Sequence, residues 1–308
     1  MAGNIKINTV AIICIAVFPL LQSCLGESVP ECSVSIDVDK ESYDAGESVT
    51  FKIEGKTDQI VFFSGESGHC YDNSTYHFED NDFNVGFVSY HDGVSPVHNN
   101  CQFLVSYDFA GDYSPEGLAA ATWTDCSDDF GFTVTGANTE SNTLNLKDIL
   151  PDSRSIENPT YYLAFRYFDI DPEHPVSNRW CIRSINVARV LPNGEEEVMG
   201  QVRTCGWVEV VVGGCSMWDI GSVQLLAKGT TSSIHQTHGK DVWVVTKAFS
   251  PNKMAPDSGE IIKTINTGIN TYTYTYSAPG TYEAVFYCSS VRYNGKSDKV
   301  IRKTIIVK

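Results

Sequence analysis

Thr271-Tyr272-Thr273-Tyr274-Thr275-Tyr276 alternates strictly at period two, so an extended backbone there puts three tyrosines on one face and three threonines on the other. The same alternation recurs along the chain, and no segment sustains a helical stripe for three turns. The period predicts strands over 33–38, 48–53, 59–63, 83–90, 102–109, 130–135, 161–168, 180–191, 207–212, 241–246, 271–276, 281–288 and 299–307. Turn chemistry falls between them. Pro279-Gly280 fits the two central positions of a type II turn, after which 281–288 is expected to return antiparallel to the tyrosine strand, and Asn294-Gly295 fits a tight hairpin. Twenty-four glycines, 15 tyrosines and 15 phenylalanines suit an all-β chain.

Charge narrows the partners. Twenty-two Lys and Arg against 38 Asp and Glu leave a formal charge of −16, which repels phosphate backbones and anionic headgroups. Nucleic acid is excluded as a first expectation, and neutral or cationic partners are favoured. With 42% hydrophobic and only 19% charged residues, the chain has enough apolar surface to fold.

The N-terminus reads as an address. Lys6, the apolar run Val10–Leu21 and then Leu21-Gln22-Ser23-Cys24 have the layout of a signal peptide, because twelve apolar residues are too few to span a bilayer as a helix. The ending resembles a bacterial lipobox. That resemblance implies cleavage after residue 23, acylation of Cys24 and, with Leu25 rather than Asp following, delivery to the outer membrane and its outer surface. Eight other mature cysteines remain, an even number compatible with disulfides. Their pairing is not legible, although Cys205 and Cys215 are close enough in sequence for a hairpin crosslink.

Tyr276-Ser277-Ala278-Pro279-Gly280-Thr281-Tyr282, the Asn-Gly turn and Lys303–Val307 resemble the second half of a PKD domain, an immunoglobulin-like sandwich. Gly46–Phe51 and Phe62–Gly68 resemble its first half. The separation of the halves implies an insertion, and the strands within it suggest a jelly roll with segments similar to galactose-binding-like modules (Tyr107–Phe109, Ala121–Asp125, Leu163–Tyr167). The expected layout is signal peptide 1–23, lipidated linker 24–32, a discontinuous sandwich over 33–68 and 251–308, and an inserted jelly roll over 69–250. The motif order resembles an uncharacterised family of Bacteroidetes outer-membrane lipoproteins associated with Sus-type glycan uptake, which implies carbohydrate binding and an outer-membrane transporter complex as partner.

No nucleophile elbow, helical zinc motif or phosphate loop is present, and Gly65-Glu66-Ser67-Gly68-His69 matches a serine protease loop only superficially. Glu66, Asp108, Asp125 and Glu173 are acids that a glycosidase could use, but sequence does not fix their separation. The stretches 79–82, 125–129 and 169–173 are oxygen-rich loops of the kind calcium prefers, so one structural calcium is allowed for. Sugar recognition needs aromatic faces and planar polar groups. Trp218 with Asp219, in a Gly-rich connection, is the leading exposed platform; Trp123 with Asp125 comes second; Tyr71, Tyr76 and His77 occupy a polar loop where the two domains are expected to meet. The expected function is non-catalytic glycan binding at the cell surface, with a polysaccharide-processing hydrolase and a protein-binding adhesin as alternatives.

Overall fold

The computed structural model describes residues 28–93, 100–132, 138–171, 173 and 178–308. Cys24 and the rest of the signal segment lie outside the described residues. Strand accounts for 48% of the chain and helix for 8%, so the protein is all-β. None of the described helices is long and apolar enough to cross a membrane.

The chain divides into two compact units: residues up to Tyr76 together with Ala255–Lys308, and His77–Met254. In the first, a three-stranded sheet has the order Ser35–Val38, Ser48–Glu54, Thr271–Thr275, and a five-stranded sheet has the order Glu260–Lys263, Gln59–Phe63, Gly280–Arg292, Gly295–Val307, Ser42–Tyr43. Between them lies one core, in which Val34, Ile36, Phe51 and Phe62 from the N-terminal strands pack with Tyr276, Phe286 and Ile305 from the C-terminal ones. Phe51, Phe62 and Phe286 form a mutual aromatic triad with centroids 5.0–5.7 Å apart.

The tyrosine strand keeps its alternation, with threonines exposed and Tyr272, Tyr274 and Tyr276 turned inward. Its partner differs from the sequence expectation. Thr271–Thr275 pairs with Ser48–Glu54 in one sheet, whereas Gly280–Arg292 pairs with Gln59–Phe63 and Gly295–Val307 in the other. Pro279-Gly280 therefore carries the chain from sheet to sheet and does not close a hairpin. The reason is visible in Tyr282, whose hydroxyl donates to Ala278 O at 2.9 Å while its ring stacks on Tyr276 at 4.3 Å. This tyrosine corner fixes an arch across the sandwich, as in other Greek-key folds.

The second unit has a seven-stranded and a five-stranded sheet. The five-stranded sheet runs Val208–Gly213, Asp241–Val245, Tyr162–Phe168, Cys101–Ser106, Thr124–Asp125. It is buried on both faces. The larger core includes Phe103, Phe165, Val244, Trp180 and Trp207; on the opposite face Leu104, Tyr162 and Trp243 pack under Phe109 and the helix Pro115–Ala120, which Ser114 caps by accepting from Gly117 N. Continuous hydrophobic runs such as Tyr162-Leu163-Ala164-Phe165 follow from this double burial. Phe130 and Gly131 lie in a turn and Phe132 in irregular chain rather than at the start of a strand, with Phe130 wholly buried; residues 133–135 lie outside the described residues.

Candidate functional site

The long strand Asn178–Val190 changes partner along its length. Its first half, Arg179 to Arg183, pairs with Gln224–Lys228; its second half, Asn186 to Val190, pairs with Glu196–Gln201 along the same edge. Ser184 and Ile185 fall between. On the opposite edge the ladder with Asp82–Gly93 passes from Arg183 opposite Val88 to Asn186 opposite Gly86, so one extra residue is accommodated. This bulge rephases the strand. Trp180 and Ile182 point into the core, and the next inward residues are Ile185 and Val187. Ser184 carries the distortion at φ 47°, and it is the one non-glycine residue with positive φ among those described.

Where the two partner strands part, the sheet forks and leaves a slot of about 450 Å³. Ser184, Asn186, Gln201, Arg203 and Ser222 bring polar groups to it; the buried Ile185 and Val202 form its floor, and Val223 supplies exposed apolar surface. The volume lies within the range of small-molecule sites. Among the described residues, the side chains of Gln201, Arg203 and Ser222 have no hydrogen-bond or ion-pair partner, so their groups are uncommitted. Asn186 Nδ2 donates to Glu196 Oε1 at 3.1 Å. Val223, at the tip of the turn between Trp218–Ile220 and Gln224–Lys228, is 73% exposed.

The residues singled out in the sequence lie elsewhere. Trp218 is no platform: it is 6% exposed, belongs to the core, and donates Nε1 to Val242 O at 3.0 Å. The Gly-rich connection that suggested exposure holds a short strand that pairs with Gln224–Lys228 and turns the indole inward. Asp219 is exposed, 4.0 Å from Lys228 Nζ. Trp123 is half-buried, donating Nε1 to Leu118 O and packing edge-on against Trp243 at 5.3 Å. Asp125 is exposed, but its carboxylate accepts from Gln102 Nε2 and from Ser127 N and Oγ. In the first unit, Tyr71 is wedged among Phe63, Tyr287 and the Arg302 guanidinium, and Tyr76 is 66% exposed. His77 belongs to the second unit, in a two-residue strand opposite Met254 and 3.5 Å from Glu79.

Two of the acidic loops hold an ammonium. Lys147, with a wholly buried side chain, donates to Asp80 Oδ1 at 2.6 Å and Asn252 Oδ1 at 2.8 Å. Its hydrogen bond holds the Asp80 carboxyl below the ordinary range despite partial desolvation. Lys240 pairs with Asp169 in the third loop, Nζ 3.0 Å from Oδ1. Among the described residues no group of three His, Cys, Asp or Glu could hold a metal ion. All eight described cysteines are free thiols, with Cys205 buried and Cys215 half-buried rather than crosslinked.

Of the four acids named for hydrolysis, Asp108 accepts from Ser106 Oγ at 2.7 Å and Thr122 N at 2.8 Å. Glu173 lies in an exposed turn. Glu66 accepts from Ser64 Oγ and from the Tyr274 hydroxyl, beside a smaller pocket of about 140 Å³ lined by Phe62, His69, Glu260 and Tyr274. Tyr272 donates to Glu260 at 2.7 Å. Burial, and then the adjoining carboxylates, push both phenols above the ordinary tyrosine value. Each carboxylate here is thus engaged by a phenol.

Sequence reasoning missed the slot because three of the strands that frame it carry weak β signals. Glu196–Gln201 is charged, Trp218–Ile220 is short, and Gln224–Lys228 (QLLAK) suits a helix as well as a strand. One signal was present: the apolar positions step from 180 and 182 to 185 and 187, which is the bulge written in sequence.

The model for a domain of unknown function (DUF5017) matches residues 23–207, a stretch that includes the bulge and Gln201–Arg203. No curated protein and no solved structure matches the chain.

Proposed function

Since the chain belongs to the DUF5017 family, whose description assigns no activity, we propose that it is a lipid-anchored protein of the bacterial cell surface that binds glycan in the fork of its seven-stranded sheet without transforming it. The observation that carries this reading is the convergence of uncommitted planar groups on one slot, the amide of Gln201 and the guanidinium of Arg203, flanked by the Asn186 amide and the hydroxyls of Ser184 and Ser222. Such groups bridge adjacent sugar hydroxyls, donating from N–H and accepting at amide or hydroxyl oxygen. Val223, 73% exposed, offers apolar surface to the C–H face of a pyranose. The bulge places Ser184 and Asn186 opposite the end of Glu196–Gln201, whose pairing with the same strand brings Gln201 to the slot.

In this reading acyl chains on Cys24 tether the protein to the outer membrane, two or more chains being needed for stable anchoring. Each site binds weakly, and many copies on one surface supply avidity for a polymer. An outer-membrane glycan transporter would receive the captured chain.

Affinity electrophoresis in polysaccharide-containing gels tests the binding step. Retardation that disappears in Asn186→Ala/Gln201→Ala, with an unchanged circular dichroism spectrum, supports it. Release of reducing ends would mean a hydrolase instead. Absence of both, with retention of another envelope protein in a pulldown, would mean an adhesin. Substituting Cys24→Ser tests the anchor: the protein is expected to leave the membrane fraction and lose its lipid mass.

A further inference from the structure

Resting on that reading of the fork, we infer that its preferred ligand is an acidic sugar, a uronic acid residue whose carboxylate is held by Arg203. One cation and no carboxylate line the slot. This is unusual in a chain with 38 acids and 22 bases, where a random surface patch would be expected to carry net negative charge. Arg203 sits in the turn that follows Glu196–Gln201, is exposed, and among the described residues pairs with no acid. By contrast Arg154, Arg166, Arg189, Arg292 and Arg302 each hold a carboxylate. Glu196, which reaches the neighbourhood through Asn186, faces that amide's N–H and leaves the guanidinium without a counter-charge.

A guanidinium presents two parallel N–H donors that match the two oxygens of a carboxylate, which makes this the strongest polar contact the slot can offer. The formal charge of −16 does not forbid it. Charges beyond about 8 Å are largely screened at physiological ionic strength, so the field at the slot is set by its own lining. Asn186, Gln201 and the two serines then have the hydroxyls of the same ring or its neighbour to bridge.

The test uses the mature chain and calorimetric titration with uronate oligosaccharides of galacturonate, glucuronate and mannuronate–guluronate type, each paired with its carboxyl-reduced neutral counterpart. At least one acid member is expected to bind about tenfold or more tighter than its reduced partner, as a charge-assisted bidentate contact implies. That preference is expected to weaken as salt is raised. Arg203→Gln should abolish the preference, bringing the acid member's affinity down to that of its reduced partner, and Arg203→Lys should keep only part of it. Equal or tighter binding of the reduced sugars overturns the acidic-sugar inference while leaving glycan binding standing. Binding of no member of either series overturns both.

Discussion

Lys240 Nζ lies 3.0 Å from Asp169 Oδ1, with both side chains wholly excluded from water. The backbones are joined as well: Lys240 N donates to the other Asp169 oxygen at 2.9 Å, and Asp169 N donates to Lys240 O at 2.8 Å. Removing one charge would strand the other in the interior, which costs about 3–5 kcal/mol. Lys240→Met is therefore expected to lower stability by that amount. Lys147→Met should cost about 1–2 kcal/mol, because Asp80 is 79% exposed and regains water. Urea denaturation of the two variants compares them directly, and equal losses would refute the account.

Trp218→Ala should destabilise the protein by about 3–5 kcal/mol, through the cavity it leaves and the donor lost to Val242 O. Near-ultraviolet circular dichroism and a urea midpoint measure this. An unchanged midpoint would mean that the ring is not part of the core. Any glycan affinity lost in this variant would report lost structure and not a lost contact.

Ser184→Gly separates strain from recognition. Glycine adopts φ 47° without the steric cost that serine bears, so stability should rise by about 0.5–1 kcal/mol. Glycan affinity should fall if the hydroxyl contributes to the slot. A stability loss would show that Ser184 is held by contacts that outweigh its strain.

Tyr282→Phe removes the hydroxyl that spans to Ala278 O while keeping the ring stacked on Tyr276. The expected cost is about 1 kcal/mol. A probe of the first unit, such as its tyrosine signal, should detect this, and thermal unfolding without any change would argue against the corner as a stabilising arch.

Thiol reactivity follows burial. Burial pushes the Cys126 and Cys205 thiols up to about 12 and Cys288 up to about 11. Nearby Asp129 and Asp125 add to the effect at Cys126. Iodoacetamide at about pH 8 should label the half-buried Cys70 and Cys215 well before these three, as read by peptide mass. The raised values also set a sign for stability. These thiols contribute fully below the ordinary value of 9.0, and their contribution is lost as pH rises from there through the folded values. A urea midpoint that rises over that alkaline range would contradict the assignment.

Much of the fold was legible because side-chain alternation is a local property of an extended chain. Gln59–Phe63 emerges at its observed bounds, and 48–53, 161–168 and 241–246 lie within one residue of theirs. That Tyr272, Tyr274 and Tyr276 share one face follows from period two alone. Pairing is not local. Whether Gly280–Arg292 meets the preceding strand or crosses to another sheet depends on Gln59–Phe63, more than 200 residues earlier, and on the Tyr282 corner.

The candidate site shows the same division. The sequence by itself determined the lipobox-like ending at Cys24, the acidic balance, the all-β character and the break in rhythm between Ile182 and Ile185. Tertiary structure alone decided that Glu196–Gln201 and Gln224–Lys228 would share one edge of a single strand and part at that break. It also decided that Trp218 would turn inward and Arg203 outward. The physical reason is that a slot is made by strands that fail to meet, and which edge is left open depends on partners remote in sequence rather than on the residues that line it.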